Sequence, residues 1–502
     1  LVRSKKTKFI GISFSSFKVI VKSLSFPQKF SEKHLIYLGF KGNLLKIDGK
    51  RIRMKVIKFG GSSLATAQQV EKVVRIIEAD TERRFVVVSA PGKRTPEDTK
   101  VTDLLIAVYQ ARLAEQPIDN IVEKIYQRYV EIAAPYQVEP IILADILNEL
   151  TNLNHLAIED NPYFLDTILA TGENCNAQLI ASILRTQGMA ARYINPQELG
   201  IIVTPEPQNA QMITKYYQTI HQWAHSEEIL VIPGFFGYTE DGNVCTFSRG
   251  GSDITGAIVA RGVKASLYEN FTDVNGIYAA HPGYVHEPET ITEITYREMR
   301  ELAYAGFSVF HEEALMPSFK ANIPVVIKNT NNPSHPGTLI TTKRTNLEKP
   351  VVGIASDQGF SMIYLSKYLM NREVGFTLRI LEIFRDFNLN YEHIPSGIDD
   401  LSIILRSNQL TAELQEQLLR KIAYEIDPDE LRITHDLSLV VVVGEGMKHR
   451  VGSMAESTAA LARKNINIEM INQGSSEVSI MFGIHKEREV DAIRNLYYTF
   501  FD

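Results

Sequence analysis

From residue 54 to about residue 340, short apolar runs alternate with segments whose apolar positions recur every three or four residues, which is the pattern of strands followed by amphipathic helices. Candidate strands are 55–59, 84–89, 191–194, 228–233, 266–269 and 324–328. Over 68–80, Val70, Val73, Val74 and Ile77 fall on one helical face, and a second helix is expected over 254–261. Alternation of this kind predicts an α/β domain with a mostly parallel sheet sandwiched by helices. The stretch 329–350 interrupts it with Asn-Asn-Pro-Ser-His-Pro-Gly and a charged run, and reads as a domain linker.

Beyond Pro350 a weak internal repeat takes over. Strand, helix, strand and strand are expected over 361–369, 375–387, 390–394 and 401–406, and again over 438–443, 451–464, 467–471 and 477–482. Two tandem α+β, ferredoxin-like units of about seventy residues follow from that order. A generic module of this type with no ligand would show the same pattern.

Composition narrows the class. The 502 residues are 44% hydrophobic and 22% charged, enough for two or three domains with real cores. Cys175 and Cys245 are the only cysteines, so a disulfide framework is not expected and a reducing, cytoplasmic setting fits. No run of about eighteen apolar residues suggests a membrane span. The first 53 residues hold 13 Lys and Arg against Glu32 and Asp48, so the chain's net charge of −6 leaves −17 on the rest. The body therefore carries no basic bias toward nucleic acid. Residues 1–53, Lys- and Ser-rich and without a clear period, are expected to stand apart from the fold. They read as sequence upstream of a start at Met54, a transit-type peptide or a basic arm.

Two loops carry the chemistry. Met54-Lys55-Val56-Ile57-Lys58-Phe59-Gly60-Gly61-Ser62-Ser63 runs from an apolar strand through a glycine turn toward a helix, and its spacing is not that of a Walker loop. Glycines let backbone N–H groups approach phosphate, and a lysine at the strand end adds positive charge. A second such turn, Phe247-Ser248-Arg249-Gly250-Gly251-Ser252-Asp253, complements the first. Taken alone, either would also serve as an ordinary structural turn. The histidines show no metal-ligand spacing, so no dedicated protein metal site is expected.

With these loops, Val101-Thr102-Asp103-Leu104-Leu105, Thr171-Gly172-Glu173, Thr272-Asp273-Val274-Asn275-Gly276-Ile277-Tyr278 and Asn465-Ile466-Asn467-Ile468, the chain resembles the aspartate kinases (aspartokinases) from Met54 onward. The resemblance implies an amino-acid-kinase catalytic domain over 54–340, a linker and first regulatory strand over 341–356, and ACT domains over 357–430 and 431–502. It implies ATP with Mg²⁺ and L-aspartate as reactants, the first step toward lysine, threonine and methionine, in a monofunctional enzyme. Lys58 and Asp253 are then the expected catalytic pair. Thr102, Glu173, Phe235, Arg249 and Ser252 would meet aspartate, with Arg249 on its α-carboxylate and Glu173 on its ammonium. Phe59, Gly60, Gly61, Ser62, Ser89, Gly250, Gly251, Thr272, Asp273 and Tyr278 would join Lys58 around the nucleotide. Asp253 at a helix start also suits an N-terminal cap, although a role in holding Mg²⁺ or the phosphate-binding lysine is favoured. Three departures stand out: Thr171 where relatives more often carry arginine, Ser308 where many carry lysine, and Gly283 where many carry arginine.

By the same resemblance, an amino-acid effector would bind where ACT units pair, in a homodimer. Met370, Asn371, Arg372, Glu373, Gly375 and Phe376, with Asn390, Tyr391 and Glu392, occupy that place. The acidic character of Glu373, Glu392, Asp399 and Asp400 suits lysine, with threonine as a second candidate; solvated surface acids are the plain alternative. The loop Met447-Lys448-His449-Arg450-Val451-Gly452 would take a second effector or serve pairing alone. Another small-molecule kinase of this fold, acting on glutamate, acetylglutamate, carbamate or a nucleotide, and a non-catalytic amino-acid sensor remain alternatives.

Overall fold

The structure, a computed structural model, describes residues 10–14, 17–21, 39–40, 43–44, 54–307, 312–448 and 450–502. The chain divides into two compact units, Leu1–Arg53 and Met54–Asp502. In the first, β1 (Ile10–Phe14) pairs antiparallel with β2 (Phe17–Val21), and β3 (Gly39–Phe40) with β4 (Asn43–Leu44). The rest of the expected basic extension lies outside the described residues, as do Ser308 and His449.

The second unit begins with β5 (Lys55–Phe59), β6 (Arg83–Val88), β7 (Ala191–Tyr193) and β8 (Ile229–Pro233), followed by a small hairpin of β9 (Phe236–Tyr238) and β10 (Val244–Thr246). With β11 (Leu267–Thr272), β12 (Glu293–Thr295), β13 (Val325–Asn329) and β14 (Thr338–Thr341) these strands, the hairpin apart, form one sheet in the order β12-β14-β13-β11-β5-β6-β8-β7. All neighbours are parallel except β13 and β14. The expected strands are therefore present with ends moved by a few residues. The linker reading of 329–350 needs correction, because β14 falls inside it and is paired on both sides.

Side chains alternate across this sheet, so each face has its own core. Ile57, Phe59, Val86, Val88 and Phe271 pack with α1 (Ala67–Glu78), α2 (Val101–Leu113), α3 (Asp119–Ala133), α4 (Pro140–Asn152) and α5 (Phe164–Thr186). Val56, Phe85, Val87 and Tyr268 face α6 (Pro196–Leu199), α7 (Tyr217–Gln222), α8 (Gly251–Val263) and α9 (Tyr296–Tyr304); the short α10 (Met316–Lys320) follows. No described helix is long and apolar enough to cross a membrane.

The C-terminal half contains β15 (Gly353–Ser366), α11 (Phe376–Asp386), β16 (Asp400–Arg406), α12 (Ala412–Ile426), β17 (Glu430–Val443), α13 (Ser453–Ala462), β18 (Met470–Asn472), β19 (Ser479–His485) and α14 (Glu489–Phe500). Its five strands make one antiparallel sheet, β16-β15-β17-β19-β18. β15 and β17 are each 14 residues long and serve both repeats. Their 362–366 and 430–434 halves lie on the β16 side, while 353–358 and 438–443 lie on the β19 side, with register shifts between the halves. The two units are thus interleaved rather than tandem: the chain supplies a strand to the second, builds the first, then returns. The expected strand at 390–394 is absent; only an isolated bridge from His393 to Ile404 forms there.

Candidate active site

Ligands in open parallel sheets gather at the carboxyl ends of strands where the order of connection reverses. Here the chain moves from β5 to β6 on one side, and β11 continues to β13 on the other, so that point lies between β5 and β11. Lys58 sits there on β5 and is only 8% exposed. Its Nζ lies 2.6 Å from Oδ1 of Asp253, in the first turn of α8. Asp253 is not an N-terminal cap: Gly250 holds that position with φ 75° and no side-chain cap bond is present. A salt bridge this shielded survives only where both charges are well partnered. The Asn270 amide of β11 supplies the second contact, donating to the same Oδ1 at 2.8 Å.

The turn after β5 is a short 3-10 segment, Gly61–Leu64; α1 starts after Thr66, within a residue of the helix expected over 68–80, and the Thr66 hydroxyl accepts from the Gln69 N–H. Gly60 N–H donates to Phe271 O at 3.1 Å and Ser63 N–H to Gly60 O at 3.0 Å. Among the described residues the Gly61 and Ser62 N–H groups carry no backbone hydrogen bond, and in α8 the same holds for Gly251 and Ser252. Each glycine loop therefore offers two N–H groups to an anion. Neighbouring segments brace the first. Ser63 Oγ meets Thr330 Oγ1 at 2.7 Å, and Gly92 N–H donates to Gly61 O at 2.9 Å. A Cβ on Gly61 would lie 2.9 Å from Ala90 O, which explains the glycine there.

Glu173, on α5, is 6% exposed, and its Oε2 has no hydrogen-bond partner. Burial pushes its carboxyl up to about 7, while the Ala90 backbone and the charges of Lys58 and Lys100 pull the other way. The structure thus brings Lys58, Asp253 and Glu173 into one electrostatic neighbourhood. Thr171, the departure beside it, is buried and donates to Thr167 O at 3.1 Å. Phe235 adopts φ 78°, a strained conformation for a non-glycine residue. Its N–H donates to Thr255 Oγ1 at 3.0 Å, and its ring fills the space left by the missing Cβ of Gly251. Ser252 is buried against Gly234. Ser89 directly follows β6, its N–H on Phe59 O and its carbonyl accepting from Asn176 Nδ2 at 2.6 Å. Thr102 is half-buried at the start of α2. Arg249 is exposed, with no ion pair among the described residues.

Thr272 and Asp273 bond each other at 3.1 Å at the end of β11, and half-buried Tyr278 bridges to Thr290. At Gly283 the N–H donates to His281 Nδ1 at 3.0 Å. The expected effector residues are less united. Met370, Glu373 and Gly375 precede α11 and Phe376 opens it, whereas Asn390, Tyr391 and Glu392 follow it, an α-helix of 11 residues and so about 16 Å away along its axis. Arg372, Asn390 and Tyr391 are exposed. Glu373 is paired with Arg379 and, at 3.7 Å, with Lys367. Glu392 instead accepts from Tyr304 Oη of α9 and lies 3.4 Å from Arg406, so it marks the junction with the kinase half.

Several contributors escape sequence reasoning. Asn270 was signalled only by two successive polar residues, Glu269 and Asn270, in an otherwise apolar strand. Arg128 is buried, holds Gly92 O at 2.5 Å and pairs with Asp98; Arg94 holds the Asp98 carboxyl well below the usual range, with Arg128 adding to it. Nothing local announces that clamp. Cys175 and Cys245 are free and buried, and no group of three metal-binding side chains occurs among the described residues.

Comparison with known proteins adds identity to this geometry. Residues 53–329 match the amino acid kinase family and 440–500 match an ACT domain. Aspartokinase 3 of Bacillus subtilis is 51% identical over 448 residues, spanning 89% of this chain and 99% of that protein. The aspartate kinase of Clostridium acetobutylicum superposes with a TM-score of 0.78 at 37% identity, covering 89% of this chain and all of the other. Escherichia coli aspartokinase III, solved with aspartate and ADP, shares the fold at a TM-score of 0.71 and 24% identity, with the same coverage.

Proposed function

Since this chain belongs to the aspartokinases, phosphotransferases that use ATP and aspartate, we propose that Lys58 and Asp253 carry the transfer of the γ-phosphoryl group to the aspartate side chain. A side-chain carboxylate oxygen attacks the γ-phosphorus, the bond from that phosphorus to the bridging oxygen breaks, and ADP leaves with the electron pair. The product is 4-phospho-L-aspartate. Little covalent work falls to the protein, and charge on the transferring group is what must be positioned and offset. Lys58 offsets it, with the backbone N–H groups of Gly61, Ser62, Gly251 and Ser252, while Gly60, whose N–H is taken by Phe271 O, and Gly250 shape the two loops. Mg²⁺ arriving with ATP supplies further neutralisation, and Asp253, both of whose side-chain contacts fall on Oδ1, is the carboxylate that would hold it. Arg249 grips the α-carboxylate in a fork and Glu173 takes the ammonium. Thr102 and Ser252 meet the reacting carboxylate, Phe235 walls the site, and Ser89, Thr272, Asp273 and Tyr278 line the nucleotide side.

The observation that carries this reading is the shielded 2.6 Å Lys58–Asp253 pair. The C-terminal ACT half is read as a feedback device in a homodimer, answering to lysine. Trapping acyl phosphate as hydroxamate tests both parts, with a panel of amino acids as acceptors and with lysine, threonine or methionine added. Signal from aspartate alone, diminished by lysine, is the expected result. Signal from glutamate or acetylglutamate in its place would overturn the substrate, and indifference to lysine would overturn the effector.

A further inference from the structure

Asn270 occupies the middle of β11, between β5 and β13, and is 3% exposed. Its neighbours across the sheet on the same face are Lys58 and Ile327. A carboxamide among such residues costs free energy unless its polar atoms are partnered. The Asn270 Nδ2 donates at 2.8 Å to Asp253 Oδ1, the oxygen that Lys58 Nζ reaches at 2.6 Å. Two residues earlier on the same face of β11, Tyr268 Oη donates to the main-chain carbonyl of Asp253 at 3.2 Å. β11 therefore grips one residue of α8 twice, by its backbone and by its carboxylate.

We propose that Asn270 is a positioning residue for phosphoryl transfer: its amide fixes the rotation of the Asp253 carboxylate, so that Oδ1 faces Lys58 and Oδ2 stays available to the incoming nucleotide and its metal. The proposal rests on the reading of Lys58 and Asp253 given above. A hydrogen bond to a charged group holds it better than a neutral one, and in a water-poor site a carboxylate turned the wrong way leaves Lys58 directed at the wrong partner.

Asn270→Leu keeps the branching at Cγ and removes the donor. It is expected to lower kcat about ten- to a hundredfold while KM for aspartate and for ATP changes less than about twofold. The decisive readout is a double-mutant cycle. Adding Asn270→Leu to Asp253→Ala should change kcat by less than about twofold, because the amide acts only through that carboxylate. A residue that merely filled space would give independent, multiplying losses, and that result overturns the proposal. Parental kcat in Asn270→Leu overturns it as well. Should Asn270→Leu fail to fold, Asn270→Thr, whose β-branched side chain suits a strand and whose hydroxyl is too short to replace the amide, enters the same cycle. If Asp253→Ala itself turns over at the parental rate, the Lys58–Asp253 reading fails; if it collapses while Asn270→Leu does not, only the role of Asn270 fails.

Discussion

The helix starts of α8 and α11 use one local device and put it to different ends. Each is preceded by a glycine in the left-handed region, Gly250 at φ 75° and Gly375 at φ 80°, and neither has a side-chain cap. At α8 the surroundings close in. Gly251 is pressed against Phe235, and Asp253 is held by side chains from two different strands. At α11 nothing comes within 4 Å of where a Cβ on Gly375 would lie, and Val374 is 101% exposed. Glu373 finds its partners nearby in sequence, Arg379 and Lys367. Long-range bracing fixes charge before a ligand arrives, which is what transition-state stabilisation requires. A loop held only by its own neighbours instead leaves room for a second surface to complete it, which suits regulation through assembly.

The largest losses are expected at the braced start of α8. Lys58→Ala or Asp253→Ala should lower kcat by about 10² or more, equivalent to about 2.7 kcal/mol, in a steady-state kinase assay. Near-parental turnover in both would mean that the bracing serves stability alone.

At the open end, Glu373→Ala should raise the lysine concentration for half-inhibition by roughly five- to a hundredfold and leave uninhibited turnover intact, since coupling between sites is usually about 1–3 kcal/mol. Glu392→Ala should differ, because Glu392 is bonded to Tyr304 in the kinase half and its loss disturbs turnover too. Identical behaviour of the two variants would remove the distinction drawn between loop and junction.

A third test uses pH. Burial pushes Glu173 up to about 7, so it is neutral below that pH and an anion above it. An ammonium group binds the anion, and kcat/KM for aspartate should therefore fall about tenfold per pH unit as pH drops below about 7 and level off above it. Glu173→Gln should flatten that limb. A profile unchanged by the substitution would assign the titration to another group.

The smallest effect separates the two glycines directly. Gly375→Ala strains a left-handed residue in open space and should cost about 1–2 kcal/mol in thermal stability with kcat unchanged. Gly251→Ala drives a methyl to 2.5 Å from the Phe235 ring and should lower kcat as well. Equal kcat in the two variants would mean that α8 tolerates movement as α11 does.

Much of this was legible in the chain itself. Hydrophobic period placed β5, β6, β8, β11 and β13 to within a few residues, because central parallel strands are buried on both faces and are mostly apolar, with Glu269 and Asn270 of β11 the interruption. The glycine loops were marked by residue types that permit a close backbone approach, and by occurring twice at strand-to-helix turns. β14 was hidden inside a Pro- and Asn-rich stretch, since its four residues are stabilised by pairing on both sides rather than by their own pattern. The interleaving of the C-terminal units was hidden too. One 14-residue strand serving two units looks locally like any other strand.

The sequence by itself determined the chemistry on offer: a lysine at a strand end, glycines that bare N–H groups, and an aspartate in the first turn of a helix. Those depend on residues adjacent in the chain, where backbone geometry and side-chain type settle the outcome. Only the tertiary structure decided that Lys58 meets Asp253, that Asn270 stands in register beside Lys58, and that Glu173 is buried deeply enough to titrate near 7. Strand register and burial are set by every layer of the fold at once, and a carboxylate's charge depends on how much water those layers leave around it.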